Sequence, residues 1–276
     1  MINTILSNEY FFFLLLMIPS ALAAGFFAGF FGIGGGLFTI PFLFFIFETL
    51  NINETYIMHL AVGTSFSIII PTSIASVYTH YKYEAVDFSV VKSYGVFVVI
   101  GVIIGTIFAA SLPTKSLILF FVILLYLLTF NLFFMKDKTG IIIKFNLIPK
   151  ILFGFFSGFV SSLMGIGGAI MNVPILKYVG FTINKAIGTA AAIGFLIALF
   201  GAFGFLLTGL FLKIDLPLSI GFINIPAFLI FIPITTIMAK VGARTVHKID
   251  KNKISNLFGI FLLIIATKFL YDYFQL

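Results

Sequence analysis

A chain of 276 residues that is 61% hydrophobic and only 9% charged cannot coat itself against water. A soluble domain carries charge on about a quarter of its residues. The net charge of +7 would suggest nucleic acid in a soluble protein. Here most basic residues stand in or beside loops, where positive charge marks the cytoplasmic side of a membrane protein. Cysteine is absent, which excludes disulfides and thiol chemistry.

The first apolar run, 10–18, is followed by Ala21-Leu22-Ala23, which resembles a signal-peptidase site. No Lys or Arg precedes Lys82, so the basic start of a signal peptide is missing. The segment is therefore expected to remain as a membrane helix. Beyond it come continuous apolar runs of about 20 residues, the length that crosses a bilayer as a helix. Examples are 57–79, 88–111 and 117–135. A β-barrel would instead show runs of about ten residues with alternating polarity. The longest polar stretch, 136–150, is too short to fold alone.

An internal repeat organises these runs. Gly25, Gly32, Gly34, Gly35 and Pro41 recur at one constant offset as Gly158, Gly165, Gly167, Gly168 and Pro174. Ala61-Val62-Gly63-Thr64-Ser65 then recurs as Ala186-Ile187-Gly188-Thr189-Ala190. Two matches in the same order indicate duplication. The first half predicts helices near 10–30, 37–47, 57–79, 88–111 and 116–135. The second predicts them near 151–163, 169–178, 185–208, 217–239 and 254–273. The first repeat is read as 1–135, a cytoplasmic linker as 136–149 and the second repeat as 150–276.

Loop charge sets the orientation. The 47–56 loop has Glu48 and Glu54 and no basic residue, so it faces outward. The loops around Lys82, Lys136 to Lys150, Lys177 to Lys185, and Lys240 to Lys253 are basic and face the cytoplasm. The connections near Lys115 and Lys213 are left outside. Corresponding helices of the two halves then run in opposite directions. The fold class is an all-α polytopic membrane protein, an inverted repeat of two five-segment halves with glycine-broken hairpins. Each broken pair is either one re-entrant hairpin or two short crossings, because both put the flanking loops on the same side.

A break inside a membrane segment frees backbone N–H and C=O groups that cannot face lipid. Two breaks entering from opposite faces would meet near the midplane, and the short helices after them would aim their N-termini there. Helix N-termini carry unpaired N–H donors and suit an anion. The candidate substrate-binding residues are Gly34, Gly35, Gly36, Gly167 and Gly168, with Thr39 and its counterpart Asn172. Either of the last two bonds substrate or caps the broken backbone locally. For Gly25 and Gly29 the single-turn spacing of small residues supports tight helix–helix contacts instead. A stripe of Ser65, Thr72, Ser76 and Thr79 or His80 lies on one helical face. Thr64, Ser65 and Thr189 from it and the second echo join the candidates.

All nine Asp and Glu lie in or next to loops. A cation pathway usually places a carboxylate at membrane depth, so the pattern favours an anionic substrate. His80 is a possible coupling group. His59, His80 and His247 are scattered, so neither a metal site nor catalysis is expected. The glycine motifs lack the strand and the acidic residue of a nucleotide-binding loop, and no cofactor is expected. The partners expected are a small anion and the lipid bilayer, with a homo-oligomer left open and nucleic acid excluded.

The paired Gly-x-Gly-Gly motifs with their prolines resemble those of the TauE/SafE sulfite exporter family. So do residues 61–65 followed by His80, residues 186–189, and Gly242-Ala243-Arg244 before the last helix. The resemblance covers nearly the whole chain. It implies a plasma-membrane transporter of small sulfur-containing anions such as sulfite, sulfonates or sulfoacetate, working by alternating access. A channel or facilitator without alternating access is the alternative. The second half departs from the first at Ala169, against Gly36, and at Ala190, against Ser65.

The orientation has a direct test. A single cysteine at position 143 should react with an impermeant thiol reagent only from the cytoplasmic side, and labelling from outside would overturn the topology.

Overall fold

The computed structural model describes residues 9–31, 35–134, 144–246 and 251–275. Among them are ten α-helices and one two-residue-per-strand hairpin. The helices are α1 (Glu9–Phe31), α2 (Gly36–Thr49), α3 (Ile57–Lys82), α4 (Phe88–Ser111), α5 (Thr114–Phe134), α6 (Leu147–Met164), α7 (Ala169–Tyr178), α8 (Ile183–Phe211), α9 (Ile225–Val246) and α10 (Lys251–Gln275). Every helix expected from the sequence is present. Among the described residues seven are long and apolar enough to cross a membrane: α3, α4, α5, α6, α8, α9 and α10. Their outer faces leave large apolar side chains such as Ile107, Leu127, Phe203, Ile237 and Ile264 exposed. In water such a surface would aggregate; in hydrocarbon it is the expected exterior. The chain is a multi-pass membrane protein.

Three boundaries differ from the sequence reading by four residues or more, one of them the end of α9, which runs on to Val246. Helix α6 starts at Leu147, inside the expected linker, with Asn146 as its N-cap residue. Helix α9 starts at Ile225 instead of near 217. The intervening residues form strands β1 (Ser219–Ile220) and β2 (Ile223–Asn224), paired antiparallel around Gly221. Asn224 then caps α9, its Oδ1 accepting the N–H of Ala227 at 3.0 Å. A side-chain acceptor at the N-cap satisfies one of the free donors of a first turn, which favours starting the helix there.

The helices after the breaks are short. At 1.5 Å per residue, α7 is about 15 Å long and α2 about 21 Å, less than the roughly 30 Å hydrocarbon core. Neither spans that thickness alone.

Helices α3 and α8 form the buried centre, where the Phe66 ring lies under Gly201 and 6.1 Å from the Phe205 ring. Around them, the largest helix contacts recur when the first five helices are exchanged for the second five. Helix α4 packs on α6 and α9 packs on α1, the two most extensive lateral contacts; α3 pairs with α8, and α5 with α10. The equivalent glycines make the two lateral contacts close. A Cβ at Gly158 would overlap the carbonyl oxygen of Val98, and one at Gly25 would lie 2.6 Å from Thr235 Cα. For Gly25 the helix–helix reading is therefore the one observed; no side-chain environment is described for Gly29.

Leucine at Gly158 should separate α4 from α6. Overpacking of this kind costs about 1–3 kcal/mol or more, so the variant should unfold at a clearly lower temperature in detergent. An unchanged melting temperature would contradict the contact.

Candidate functional site

The glycine breaks are true interruptions, and they meet. Helix α6 ends at Met164, and Gly165 follows as its C-cap with φ +60°. Gly35, the N-cap of α2, has φ +83°. Side chains rarely adopt either conformation, which explains glycine at both positions. Gly36, the first residue of α2, lies against the second break. A Cβ there would stand 2.6 Å from the carbonyl oxygen of Gly165 and 3.2 Å from the nitrogen of Gly167. Ser65 reaches the same place from α3, its hydroxyl donating to the Gly165 carbonyl at 3.2 Å. Of the residues singled out in the sequence, Gly36, Ser65 and Gly167 are brought together. Gly35 adjoins them in the chain, and Gly34 lies outside the described residues. Gly168 sits beside α8, with Ile197 and Gly194 at close range.

Thr39 and Asn172 perform the same local task in their two halves. The Thr39 hydroxyl donates to the Gly35 carbonyl at 2.9 Å, and Asn172 Nδ2 donates to the Gly168 carbonyl at 2.7 Å. Each is a second donor to a carbonyl at a break that already accepts a backbone N–H of the helix it opens. Asn172 does more. Its Oδ1 accepts the Tyr94 hydroxyl at 2.7 Å and the Ser157 hydroxyl at 3.0 Å. This fully buried network ties α4, α6 and α7 together at one amide.

Thr64 and Thr189 also have duplicate partners. Thr64 Oγ1 accepts the backbone N–H of Asn224 at 2.9 Å, and Thr189 Oγ1 accepts that of Asp87 at 3.0 Å. Asp87 caps α4 through Val90 N–H at 3.1 Å, as Asn224 caps α9. The preceding glycines let the loops come close: a Cβ at Gly63 would overlap the Phe222 carbonyl oxygen, and one at Gly188 that of Ala85. The Gly-Thr echo thus holds the loop that opens the fourth helix of the opposite half. A third echo, Ala85-Val86-Asp87 against Phe222-Ile223-Asn224, carries this arrangement in the sequence. It went unread because only an aliphatic residue followed by Asp or Asn recurs.

The remaining candidates stand apart. Thr72 donates to the Ile69 carbonyl at 2.9 Å and Thr79 to that of Ala75 at 2.9 Å, as isolated hydroxyls in membrane helices do. His80 is half-exposed in the last turn of α3, about 22 Å along the helix from Ser65. Among the described residues no three metal-ligating side chains gather. Acidic residues near helix ends are paired: Lys268 stands 3.7 Å from Glu48 and bonds Asp272, whose carboxylate is buried.

Comparison with known proteins places this arrangement. The family model for the sulfite exporter TauE/SafE matches residues 17–269. The chain belongs to the TauE/SafE sulfite exporter family. At family level it is a membrane transporter. It is 31% identical over 257 residues to a probable membrane transporter protein of Haemophilus influenzae, covering 93% of this chain and 97% of that one. A probable membrane transporter protein of Methanocaldococcus jannaschii is 28% identical over 271 residues, covering 91% and 97%. One from Bacillus subtilis is 25% identical over 280 residues, covering 93% and 97%. No solved structure matches the chain.

Asn172→Ala should leave the Tyr94 and Ser157 hydroxyls without their shared acceptor, while the Gly168 carbonyl keeps the backbone N–H of residue 172. An unsatisfied buried group costs about 1–3 kcal/mol, so the unfolding temperature in detergent should fall. Thr39→Val, which loses one bond, should lower it less. Equal effects would show that the Asn172 network adds nothing.

Proposed function

We propose that the protein is a secondary transporter of small sulfur-containing anions, sulfite, sulfonates or related organic anions, which carries them across the plasma membrane by alternating access. The substrate site is where the two glycine breaks meet. The observation that carries this reading is the contact of Gly36 with Gly165 and Gly167. It joins the start of α2 to the second break, deep among buried residues. A helix start supplies N–H donors and partial positive charge without any side-chain cation. Gly35 and Gly36 keep side chains off those donors, and an anion reaches them, and the Ser65 hydroxyl now held by the Gly165 carbonyl, when the two breaks part.

The halves form an inverted repeat in this reading, with the 50–56 loop outside and the 83–87 loop in the cytoplasm. Its support is the reciprocal packing, in which the lateral, capping and glycine contacts each occur twice with the halves exchanged. Inverted repeats with broken helices place substrate between the halves and expose it by rocking one against the other. Family membership supports sulfite as the first substrate to test.

The test is flux of sulfite and sulfoacetate into proteoliposomes. The wild-type protein should give saturable flux. Gly35→Leu and Gly168→Leu, confirmed as folded by gel filtration, should lose most of it. Unchanged flux in both folded variants would remove the site from the breaks. Conductance far above a turnover-limited rate would favour a channel.

A further inference from the structure

We propose that Thr64 and Thr189 are a pair of inter-half latches, one toward each end of the bundle, that release in alternation as the transporter cycles. The proposal rests on the transporter reading above and adds the moving contacts to it.

The two latches have the same parts. In each, a threonine hydroxyl of one half accepts the backbone N–H of an N-cap residue of the other: Thr64 from Asn224, and Thr189 from Asp87. In each, the cap side chain is held by its own helix, through Ala227 N–H or Val90 N–H. Pulling the threonine away therefore leaves the cap and the helix start intact. In each, a glycine before the threonine lets the opposing loop carbonyl settle on the helix, Phe222 on Gly63 and Ala85 on Gly188. Each joint is a loop carbonyl seated on a helix glycine with one loop-to-threonine hydrogen bond; at the Thr64 joint the buried Phe222 ring also packs on Tyr56 and His59. A neutral bond of this kind is weak enough to be exchanged within a cycle.

Their placement fits alternation. Thr64 lies seven residues beyond the start of α3 at Ile57, and Asp87 lies five residues past its end at Lys82. At 1.5 Å per residue, the stretch of α3 from Thr64 to Lys82 is about 27 Å long. The two joints face opposite ends of the bundle with the second glycine break between them: Ser65, next to Thr64, bonds Gly165, and Gly168 lies against Gly194, five residues beyond Thr189 on α8. They also differ in strength. His59, one turn before Gly63, stacks on the Phe222 ring at 5.1 Å and donates from Nε2–H to the Ala109 carbonyl at 3.1 Å. The corresponding position in the second half is the exposed Asn184. Beside the Thr189 latch, Tyr78, Tyr81, Phe88, Ala192 and Leu196 instead line an open groove of about 400 Å³. The Thr189 latch is the less braced of the two.

The protein has no native cysteine, so one thiol reports access cleanly. A reporter cysteine at Ile69, whose side chain lies against Gly36, is labelled with an impermeant maleimide in vesicles of defined orientation. Thr64→Val should raise labelling from outside by about fivefold, the population shift expected from one net hydrogen bond, without raising it from the cytoplasm. Thr189→Val should do the reverse, and Thr→Ser at either position should restore the wild-type pattern. Equal changes on both sides, or no change, would overturn the proposal. As a second arm, Thr64→Cys with Asn224→Cys is oxidised in an otherwise cysteine-free chain. Flux should stop and return with reductant; full flux with the bridge formed would also overturn it. The labelling arms do not need a known substrate. Absence of anion flux in the wild-type protein would refute the transporter reading while the labelling pattern still decides the latches.

Discussion

The structure depends on the cost of placing an unpaired backbone group in hydrocarbon. A helix broken at Gly165 to Gly168, or before Gly35, frees carbonyls and N–H groups that lipid cannot satisfy. Every local feature of the two breaks answers that cost. The Gly35 and Gly168 carbonyls accept backbone N–H groups of α2 and α7, with the Thr39 and Asn172 side chains as second donors, and Ser65 donates to that of Gly165. The breaks are then buried against each other, Gly36 on Gly165 and Gly167. The two breaks can exist in a membrane because they face protein.

Duplication explains how one chain supplies partners for both breaks. Gly25 and Gly158 make the same kind of lateral contact, against α9 and α4. Thr64 and Thr189 receive the same kind of N–H from Asn224 and Asp87. Each half thus carries both the receptor surface and the loop that occupies it in the other half. A small residue at one site and a cap residue at the other are enough, because van der Waals contact and hydrogen bonds, not water exclusion, hold helices together in lipid.

Much of this was legible. The long apolar runs, the glycine and proline motifs and the Gly-Thr echo located all ten helices and the duplication. They could not show what Thr64 and Thr189 touch, because the partners lie 160 and 102 residues away and are backbone N–H groups, which have no sequence signature. The Asn172 network was equally hidden. Tyr94 and Ser157 are single polar residues in apolar helices, and nothing local says that they converge on one amide. The hairpin at Ser219 to Asn224 was read as helix because its residues are apolar. The cap at Asn224 and the turn at Gly221 outweigh that pattern.

What the sequence by itself determined is the solvent, the helices and the repeat. Each follows from hydrophobicity and spacing along the chain, which act locally. The tertiary structure decided that the breaks meet at Gly36 and that the recurrent threonines join the halves. Those are consequences of which helix faces meet, and a face finds its neighbour only when the whole bundle has closed to exclude lipid from the broken backbone.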